Sequence, residues 1–467
     1  MKPGVNFAIP AILPPLDRGF RPAVLADSAF KHAVAEAGSG LPLVFALERA
    51  DGAVARYETR VFPEDHPFVT ANLAYAERLF KFLLWQCGGW RAYVGGPKRI
   101  GEWIRECYSP TGTRAFDCRF MGTEVYERPF TVLPCAITDL PAEKESDSTL
   151  GRHLGGCRIG FDLGASDRKV AAVIDGKVVF SEEVVWEPGV QSDPDYHYRE
   201  IIAGLRKAAS FLPRVDAIGG SAAGVYVDNR VRVASLFRAV PAERYTLVRN
   251  LFTRISDEMG APLVIVNDGD VAALAGAMSL EANGILGIAL GSSEAAGYVS
   301  PTGTITGQLN ELAFSPIDYS PQAPLDEWSG DRGCGVQYLS QQAIFRLAPQ
   351  AGIVIPQGLT PADRLRFVQE SLKRGEERAA KIWQSIGVYL GYAIAHYASF
   401  YEIDHLLILG RCTSGRGGEL IMERANTVLR TEFPELNERI ELHLPDEKSR
   451  RVGQAIAAAS LPNLEGS

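Results

Sequence analysis

The pattern of apolar and polar positions predicts a chain of strands and helices of the α/β class. In the first third, an apolar run at 41–47 and an alternating apolar and polar run at 55–62 lie on either side of Asp51-Gly52, which predicts a β-hairpin. Leucine and phenylalanine then recur at three- and four-residue spacing over 72–87, as on one face of a helix. The Pro-rich opening predicts irregular structure. Further predicted elements are a strand at 90–94, a helix at 100–107 and a strand-like stretch at 116–132.

A second hairpin, predicted over 158–176, offers the first candidate chemistry. Its first strand ends at Asp162, and Gly164 and Ser166 follow in the turn. Glycine lets a ligand come close to the main chain, and the hydroxyl and carboxylate suit a phosphate with its metal. An ordinary turn between strands is the alternative. Asp175-Gly176 predicts a further turn, with a strand that begins at Lys177.

Four other strands run into polar or small residues. The carboxyl ends of buried strands are where open α/β sheets bind ligands, so these ends are candidate site positions. For Asn267 and Asp268 the alternative is that they only cap the following helix, 271–278. The strands are 215–225, which includes Ser221; 262–266, which ends in Asn267 and Asp268; 284–290, which opens onto Gly291 and Ser292; and 403–409, which ends in Gly410 and Arg411. Helices are predicted at 201–212, 245–259, 379–400 and 419–430.

Composition sets the class of protein. At 467 residues, with 46% hydrophobic and 22% charged residues, the chain predicts two or three globular domains. The net charge of −8 and the lack of Lys/Arg clusters argue against a nucleic-acid partner. Seven scattered cysteines predict reduced thiols, and no signal-peptide or membrane-spanning pattern is found, so a cytoplasmic location is expected. The polar stretch 140–149 predicts a linker.

Taken together, these positions resemble the motifs of the ROK family of repressors and sugar kinases, within the superfamily of actin, hexokinase and heat-shock ATPases. The resemblance covers about 158–460. Asp162, Gly164 and Ser166 match the first phosphate motif, and Gly291 and Ser292 the second; Asn267-Asp268 match the motif of the catalytic base, Gly410-Arg411 the adenosine motif, and Asn310-Glu311 the sugar-binding motif.

The resemblance implies roles for these residues. Asp268 is the implied general base, and Asp162 the implied holder of hydrated Mg²⁺. The phosphates of ATP are implied to lie on the two hairpin turns, and adenosine beside the adenosine motif. The implied substrate ligands are Asn267, Glu311 and Ser221, with a sugar or sugar derivative as substrate. A homodimer is also implied.

Several residues depart from the family pattern. The zinc knuckle of the family needs one His and three Cys, but Phe314, Glu327 and Ser329 replace three of them and only Cys334 remains. Because a structural zinc site fills four positions with such ligands, no zinc is expected. Asp167 replaces a lysine in the first phosphate motif, and Glu294 is expected to place negative charge near the phosphates. Arg168 and Lys169 are neighbours on a strand and point to opposite faces, so at most one of them can face the phosphates, and both are expected to be solvated.

The predicted architecture is therefore two ribonuclease-H-like halves, 155–275 and 276–467, preceded by an α+β domain at 1–145. The predicted function is an ATP-dependent sugar kinase of ROK type. The alternative is a non-catalytic small-molecule sensor that keeps the fold, which the altered loops favour. A DNA-binding repressor is disfavoured, because residues 1–140 have no helix-turn-helix pattern or basic recognition helix.

Overall fold

The computed structural model describes residues 9–145, 150–445 and 447–464, and within them the strands form three four- or five-stranded sheets and one two-stranded pair. We call the larger sheets the N-terminal, middle and C-terminal sheets, after their order in the chain. Helices cover their faces, so the protein belongs to the α/β class, as predicted.

The N-terminal sheet has the strand order β2-β1-β3-β4. The hairpin predicted around Asp51-Gly52 is present, and so is the helix predicted at 72–87. The elements are α1 (Ala23–Glu36), β1 (Leu41–Glu48), β2 (Val54–Val61), α2 (Ala71–Cys87), β3 (Arg91–Gly95), α3 (Lys98–Cys107), α4 (Ala115–Arg119), a π-helix (Phe120–Tyr126) and β4 (Thr131–Cys135).

Three predictions for this part were wrong or incomplete. The aromatic stretch 116–126 is helical, because its rings pack on Trp85 of α2, and tertiary packing overrides strand propensity. The Pro-rich opening leads directly into α1, which follows Pro22. The predicted linker lies partly outside the described residues, at 146–149. Its described part is held to the sheet, where Lys144 and Val54 exchange backbone hydrogen bonds of 3.0 and 2.8 Å.

The middle sheet has the order β11-β8-β5-β6-β7. Strands β5, β8 and β11 are parallel, so their carboxyl ends meet at one edge, whereas β6 and β7 extend the sheet as an antiparallel meander. The elements are β5 (Cys157–Leu163), β6 (Asp167–Ile174), β7 (Lys177–Val185), α5 (Pro194–Ala209), β8 (Ala217–Ala222), β9 (Val225–Val227), β10 (Arg230–Val233), α6 (Tyr245–Arg249), α7 (Leu251–Met259) and β11 (Leu263–Asn267).

The C-terminal sheet has the order β13-β12-β14-β15, with β12, β14 and β15 parallel. Its hairpin and following parallel strands repeat the start of the middle sheet. The elements are α8 (Asp268–Leu280), β12 (Ile285–Leu290), β13 (Glu294–Val299), α9 (Gln341–Leu347), α10 (Pro361–Lys373), α11 (Glu377–Tyr397), β14 (His405–Leu409), α12 (Arg416–Glu432), α13 (Pro434–Arg439), β15 (Glu441–His443) and α14 (Glu447–Ala459).

The last helix returns from the C-terminal sheet to the middle sheet. It lies against Gly160 and Gly219, where a Cβ atom would be 1.8 Å from the Ala455 carbonyl oxygen and 1.7 Å from that of Ala458. Glycine at both positions therefore permits the close packing. The segment 447–459 packs on the middle sheet, although the predicted boundary at 276 assigned it to the second half.

The N-terminal segment also shares its core with the rest of the chain. Phe20, Val24 and Phe82 are buried in the cluster around α11, and Val225 is buried in the core of the N-terminal sheet. These shared clusters hold the N-terminal elements firmly on the other two sheets.

Candidate active site

Three predicted site residues lie side by side at the carboxyl edge of the middle sheet. Asp162 is near the end of β5, Ser221 near the end of β8, and Asn267 ends β11. The register pairs Asp162 with Ser221, and the buried Ser221 hydroxyl donates to Asp162 Oδ1 at 2.8 Å. Ser221 therefore orients the Asp162 carboxylate, which differs from its predicted role as a substrate ligand.

The second oxygen of Asp162 meets a lysine. Lys169 Nζ lies 3.2 Å from Asp162 Oδ2 and 3.0 Å from Asp167 Oδ1, with its side chain largely buried. Arg168 points to the other face and pairs with Glu200 at 2.9 Å. The expectation that both cations are solvated was wrong. The hairpin register places residue 169 opposite residue 162, and this pairing was the sequence signal for the contact.

In each of the two glycine-containing turns, the glycine N–H donates a hydrogen bond within the turn and is not free for a ligand. Gly164 N–H donates to the Asp167 carbonyl at 2.9 Å, and Gly291 N–H donates to the Ser293 carbonyl at 3.0 Å. Ser166 and Ser292 are exposed at the two turns. The Ser166 hydroxyl donates to Asp167 Oδ2 at 3.1 Å. The two hydroxyls, together with the Lys169 ammonium beside the first turn, are the candidate groups for contact with an anion.

Gly410 and Arg411 lie beside the second turn. Gly410 has φ 97°, and a Cβ there would be 2.4 Å from the Leu290 carbonyl oxygen, so only glycine fits against the end of β12. Arg411 is exposed, and its carbonyl accepts from Gln369 Nε2 at 2.9 Å. The structure thus brings Gly291, Gly410 and Arg411 to one edge of the C-terminal sheet.

Asp268 is the first residue of α8, and its neighbour provides the cap. Asn267 Oδ1 accepts from Gly269 N–H at 2.7 Å, while its Nδ2 donates to the Gly224 carbonyl at 2.8 Å. The capping alternative is therefore correct for Asn267. Asp268 is half-buried, and burial, followed by the nearby charge of Asp162, raises its pKa to about 6.

Further carboxyl groups lie near Asp268. Burial raises the pKa of Glu311 to about 7, with added contributions from the charges of Asp268 and Asp270. Burial also raises the pKa of Asp270 to about 7, although Asp270 accepts from Tyr298 N–H at 3.2 Å and from Asn310 Nδ2 at 3.1 Å. The sequence analysis missed Asp270. Asp270 lies two residues after Asp268 on α8, and this position in the sequence did not indicate that it contacts Asn310.

The loop that carries Glu311 is held by the N-terminal helix α2. Asn310 N–H donates to the Gln86 carbonyl at 2.9 Å, and Glu311 N–H donates to the Trp85 carbonyl at 3.0 Å. Asn310 adopts φ 52°, and Tyr401 Oη donates to its Oδ1 at 2.9 Å. The N-terminal part of the chain thus positions a candidate substrate-binding residue.

Glu294 does not face the turns as expected. Its side chain is buried beneath the C-terminal sheet, where Tyr397 Oη donates to Oε1 at 3.0 Å. Burial raises its pKa to about 8, which favours the neutral form. The expectation that Glu294 places its negative charge near the phosphate turns was therefore wrong, because the side chain points into the protein.

The loop at the position of the family's zinc knuckle is filled by other contacts. Phe314 stacks on Trp85 with ring centroids 4.3 Å apart, and Cys334 is fully buried, which raises the pKa of its thiol to about 12. Lys81 Nζ contacts Asp331 of this loop at 3.1 Å. Among the described residues, the group of His, Cys, Asp and Glu side chains with metal-ligand spacing lies elsewhere, at His405, Glu441 and His443.

Comparisons with known proteins bear on the fold. No family model and no curated sequence matches the chain. Among solved structures, the chain is similar to the ROK hexokinase from Thermus thermophilus, with a TM-score of 0.51 and 16% identity over 65% of this chain and 97% of that one. It is also similar to a ROK family transcriptional regulator, a homolog of the E. coli Mlc protein, with a TM-score of 0.51 and 18% identity over 72% of this chain and 84% of that one.

A kinase and a regulator thus share one fold with this chain, so the fold alone leaves the function open. In the part of the chain that the structure describes, no helix is long and apolar enough to cross a membrane. The resemblance predicted from the motifs is confirmed at the level of the fold: this chain has the fold of the ROK family.

Proposed function

We propose that this chain is an ATP-dependent kinase of ROK type that phosphorylates a hydroxyl group of a sugar or sugar derivative. The observation that carries the proposal is the position of Asp268, which begins α8 at the carboxyl edge of the middle sheet, where Asp162 also lies. Burial and the nearby charge of Asp162 raise its pKa to about 6, in line with this position. A general base works best when its pKa lies near the working pH. Asn267 provides the side-chain cap of α8, so Asp268 is not the capping residue, although its carboxylate also lies favourably at the positive end of the helix dipole.

In the proposed reaction, Asp268 accepts the proton of the substrate hydroxyl as that oxygen attacks the terminal phosphate. Glu311 binds other hydroxyls of the substrate, and Asn267 contacts it while capping α8. Ser166 and Ser292 bind the phosphates, and Gly410 and Arg411 lie beside the adenosine. This is catalysis by positioning and electrostatics, as is usual for phosphoryl transfer.

Lys169 offers a positive charge close to the residue at which the first phosphate motif departs from the family. The motif's lysine is replaced by Asp167, but the Lys169 ammonium lies 3.0 Å from Asp167 and 3.2 Å from Asp162. We propose that it supplies the positive charge for the phosphates.

Asp162 is the proposed holder of Mg²⁺ through water, which would neutralise charge on the phosphates. Both oxygens of Asp162 already accept hydrogen bonds, one from Ser221 and one from Lys169. Asp162 would therefore hold the metal-bound water only after one of these two side chains moves. A shift of Lys169 toward the phosphates would free one oxygen for a metal-bound water.

We further propose that the polypeptide is a cytoplasmic homodimer without a nucleic-acid partner, organised as the N-terminal domain and two ribonuclease-H-like halves of the sequence prediction. No zinc is proposed in the loop 314–334. The second candidate function is a sensor that binds the same ligand without catalysis. It is favoured by the carboxylate at residue 167, in the first phosphate turn, where the family has lysine.

Asp268→Asn tests the proposed base. Wild-type protein with ATP and Mg²⁺ is expected to phosphorylate at least one member of a panel of sugars and sugar derivatives. The variant keeps the shape of the side chain, so it is expected to fold and bind nucleotide, but to lose about 10²- to 10⁴-fold in rate. Product formation is measured by mass spectrometry. The exposed Asp257→Asn on α7 is the control and should retain full activity.

Three outcomes separate the alternatives. An Asp268→Asn enzyme with near wild-type turnover would show that Asp268 is not the base. A wild-type protein that binds a sugar without phosphorylating it would support the sensor. Calorimetry that detects neither sugar nor nucleotide binding would contradict both functions.

A further inference from the structure

A second cluster of polar side chains lies at the opposite end of the C-terminal sheet from Gly410. His405 is the first residue of β14, and Glu441 and His443 are the first and last residues of the edge strand β15. The parallel register pairs His405 with Glu441 and Leu407 with His443. Because side chains alternate along a strand, all three residues lie on the same face of the sheet.

The three side chains converge on one point. His405 Nδ1 lies 3.1 Å from His443 Nε2 and 3.7 Å from Glu441 Oε2, and His443 Nε2 lies 3.9 Å from Glu441 Oε2. Ligands about 2.0–2.1 Å from a tetrahedral zinc ion stand about 3.3–3.4 Å apart. The observed separations bracket this value, so a small movement of Glu441 would complete the geometry.

The surroundings favour a site that binds an ion from solution. The two imidazoles are largely buried, with side-chain exposures of 24% and 18%, whereas the Glu441 side chain is 69% exposed. The histidines are therefore held by the sheet, and the carboxylate is free to adjust. Two imidazoles and one carboxylate also form a ligand set that zinc uses with water in the fourth position.

We propose that His405, Glu441 and His443 form a binding site for a divalent zinc-class metal ion. The site lies about 17 Å along the chain from Gly410, at about 3.3 Å per residue, so it is separate from the proposed site of phosphoryl transfer. Strand β15 pairs only with β14 among the described strands, and it precedes the helix that returns to the middle sheet. A bound ion would fasten this short edge strand to its neighbour.

This inference revises one expectation from the sequence. The prediction that the chain binds no zinc rested on the substituted ligands of the loop 314–334, and the proposed site uses none of those residues. The two histidines are 38 residues apart in sequence, so no short motif indicated them. Only the strand pairing brings them together.

The test measures zinc binding by the full-length chain after chelator treatment. Calorimetry and elemental analysis after desalting are expected to find one Zn²⁺ per chain. His443→Ala and Glu441→Gln should each weaken binding at least tenfold. Glu441 is exposed, so its substitution leaves the fold intact even if the histidine variant proves unstable. Zn²⁺ should also raise the melting temperature of wild type, and of neither variant.

Two controls address other zinc ligands. His32 Nδ1 lies 3.5 Å from Glu36 on the surface. His32→Ala therefore tests a histidine that has a carboxylate beside it but no second histidine. Cys334→Ser removes the thiol of the former knuckle. Both should bind zinc like wild type. Absence of binding, or binding unchanged by both His443→Ala and Glu441→Gln, would overturn the proposal and leave a hydrogen-bonded pair of histidines.

Discussion

At the scale of single residues, burial raises the pKa of three carboxyl groups in the candidate site and of Glu294, which is buried nearby. Asp268, Asp270, Glu311 and Glu294 all have a raised pKa, with desolvation as the largest cause in each case. A buried carboxylate loses the solvation of its charge, and its neighbours here are other carboxyl groups. Such perturbed groups concentrate at functional sites.

These shifts predict an unusual dependence of stability on pH. A carboxyl group whose pKa is higher in the folded state stabilises the fold fully below its unfolded pKa, and this contribution is lost as the pH rises through the folded pKa. Since the folded values lie at about 6 for Asp268, 7 for Asp270 and Glu311, and 8 for Glu294, the melting temperature should fall as the pH increases from 5 to 8.5.

The variant Glu294→Gln isolates one contribution. The substitution removes the group with the highest folded pKa of the four, so the decline in melting temperature between pH 6 and 8.5 should become shallower. Scanning calorimetry across buffers of equal ionic strength measures it. The control Glu377→Gln changes an exposed glutamate at the start of α11 and should leave the slope unaltered. An identical slope in the Glu294 variant would contradict the assignment.

At the scale of elements, helix α8 joins the two halves of the site. It begins at the carboxyl edge of the middle sheet and then packs on strand β13 of the C-terminal sheet. The contact is so close that a Cβ on Gly297 would lie 2.1 Å from the Gly269 carbonyl oxygen. This crossing fixes the position of Asp268, which is adjacent to Gly269.

The substitution Gly297→Ala should therefore affect stability and activity together. The added methyl group must push α8 away from β13, and overpacking of this kind typically costs about 1–3 kcal/mol. Denaturation in urea should show the loss, and any kinase activity should fall because Asp268 moves with the helix. The control Gly155→Ala adds the same atom where nothing lies within 4 Å and should change neither property.

At the scale of the whole molecule, a buried ionic network fastens the N-terminal elements to the C-terminal part of the chain. Lys81 of α2 has no solvent-exposed side-chain surface, and its Nζ lies 3.0 Å from Asp117 and 3.1 Å from Asp331. Arg114 contacts Asp331 at 2.6 Å, and Arg78 contacts it at 2.9 Å. The network lies at the loop where the family resemblance places a zinc knuckle, and it holds that loop by charge.

Removal of one partner from such a network is expected to be costly. Lys81→Met leaves the carboxylates of Asp117 and Asp331 buried with less compensation, and breaking a buried pair in this way costs about 3–5 kcal/mol. Chemical denaturation measures the change. The control Lys98→Met removes an 85% exposed lysine paired with Glu102 at 3.6 Å, and its effect should stay below about 1 kcal/mol. Equal effects in the two variants would contradict a structural role for the network.

The sequence by itself determined the strand ends at or beside which Asp162, Asp268, Gly291 and Gly410 lie, and the helices with a clear apolar face. These features depend on local patterns: strand periodicity, turn residues and motif spacing. The fold resemblance rested on the same local signals and was confirmed. The register of a hairpin also depends on local sequence, so the contact between Lys169 and Asp162 could have been predicted.

Only the tertiary structure decided the remaining features, because they depend on contacts between residues far apart in sequence. No pattern in the sequence indicates three of these features. They are the inward orientation of Glu294, the hydrogen bonds between α2 and the loop of Glu311, and the contact between His405 and His443. The helical stretch 116–126 has strand-forming residues, and its conformation follows from packing against Trp85. Burial raises the pKa of the site carboxyl groups, and burial is a property of the assembled fold.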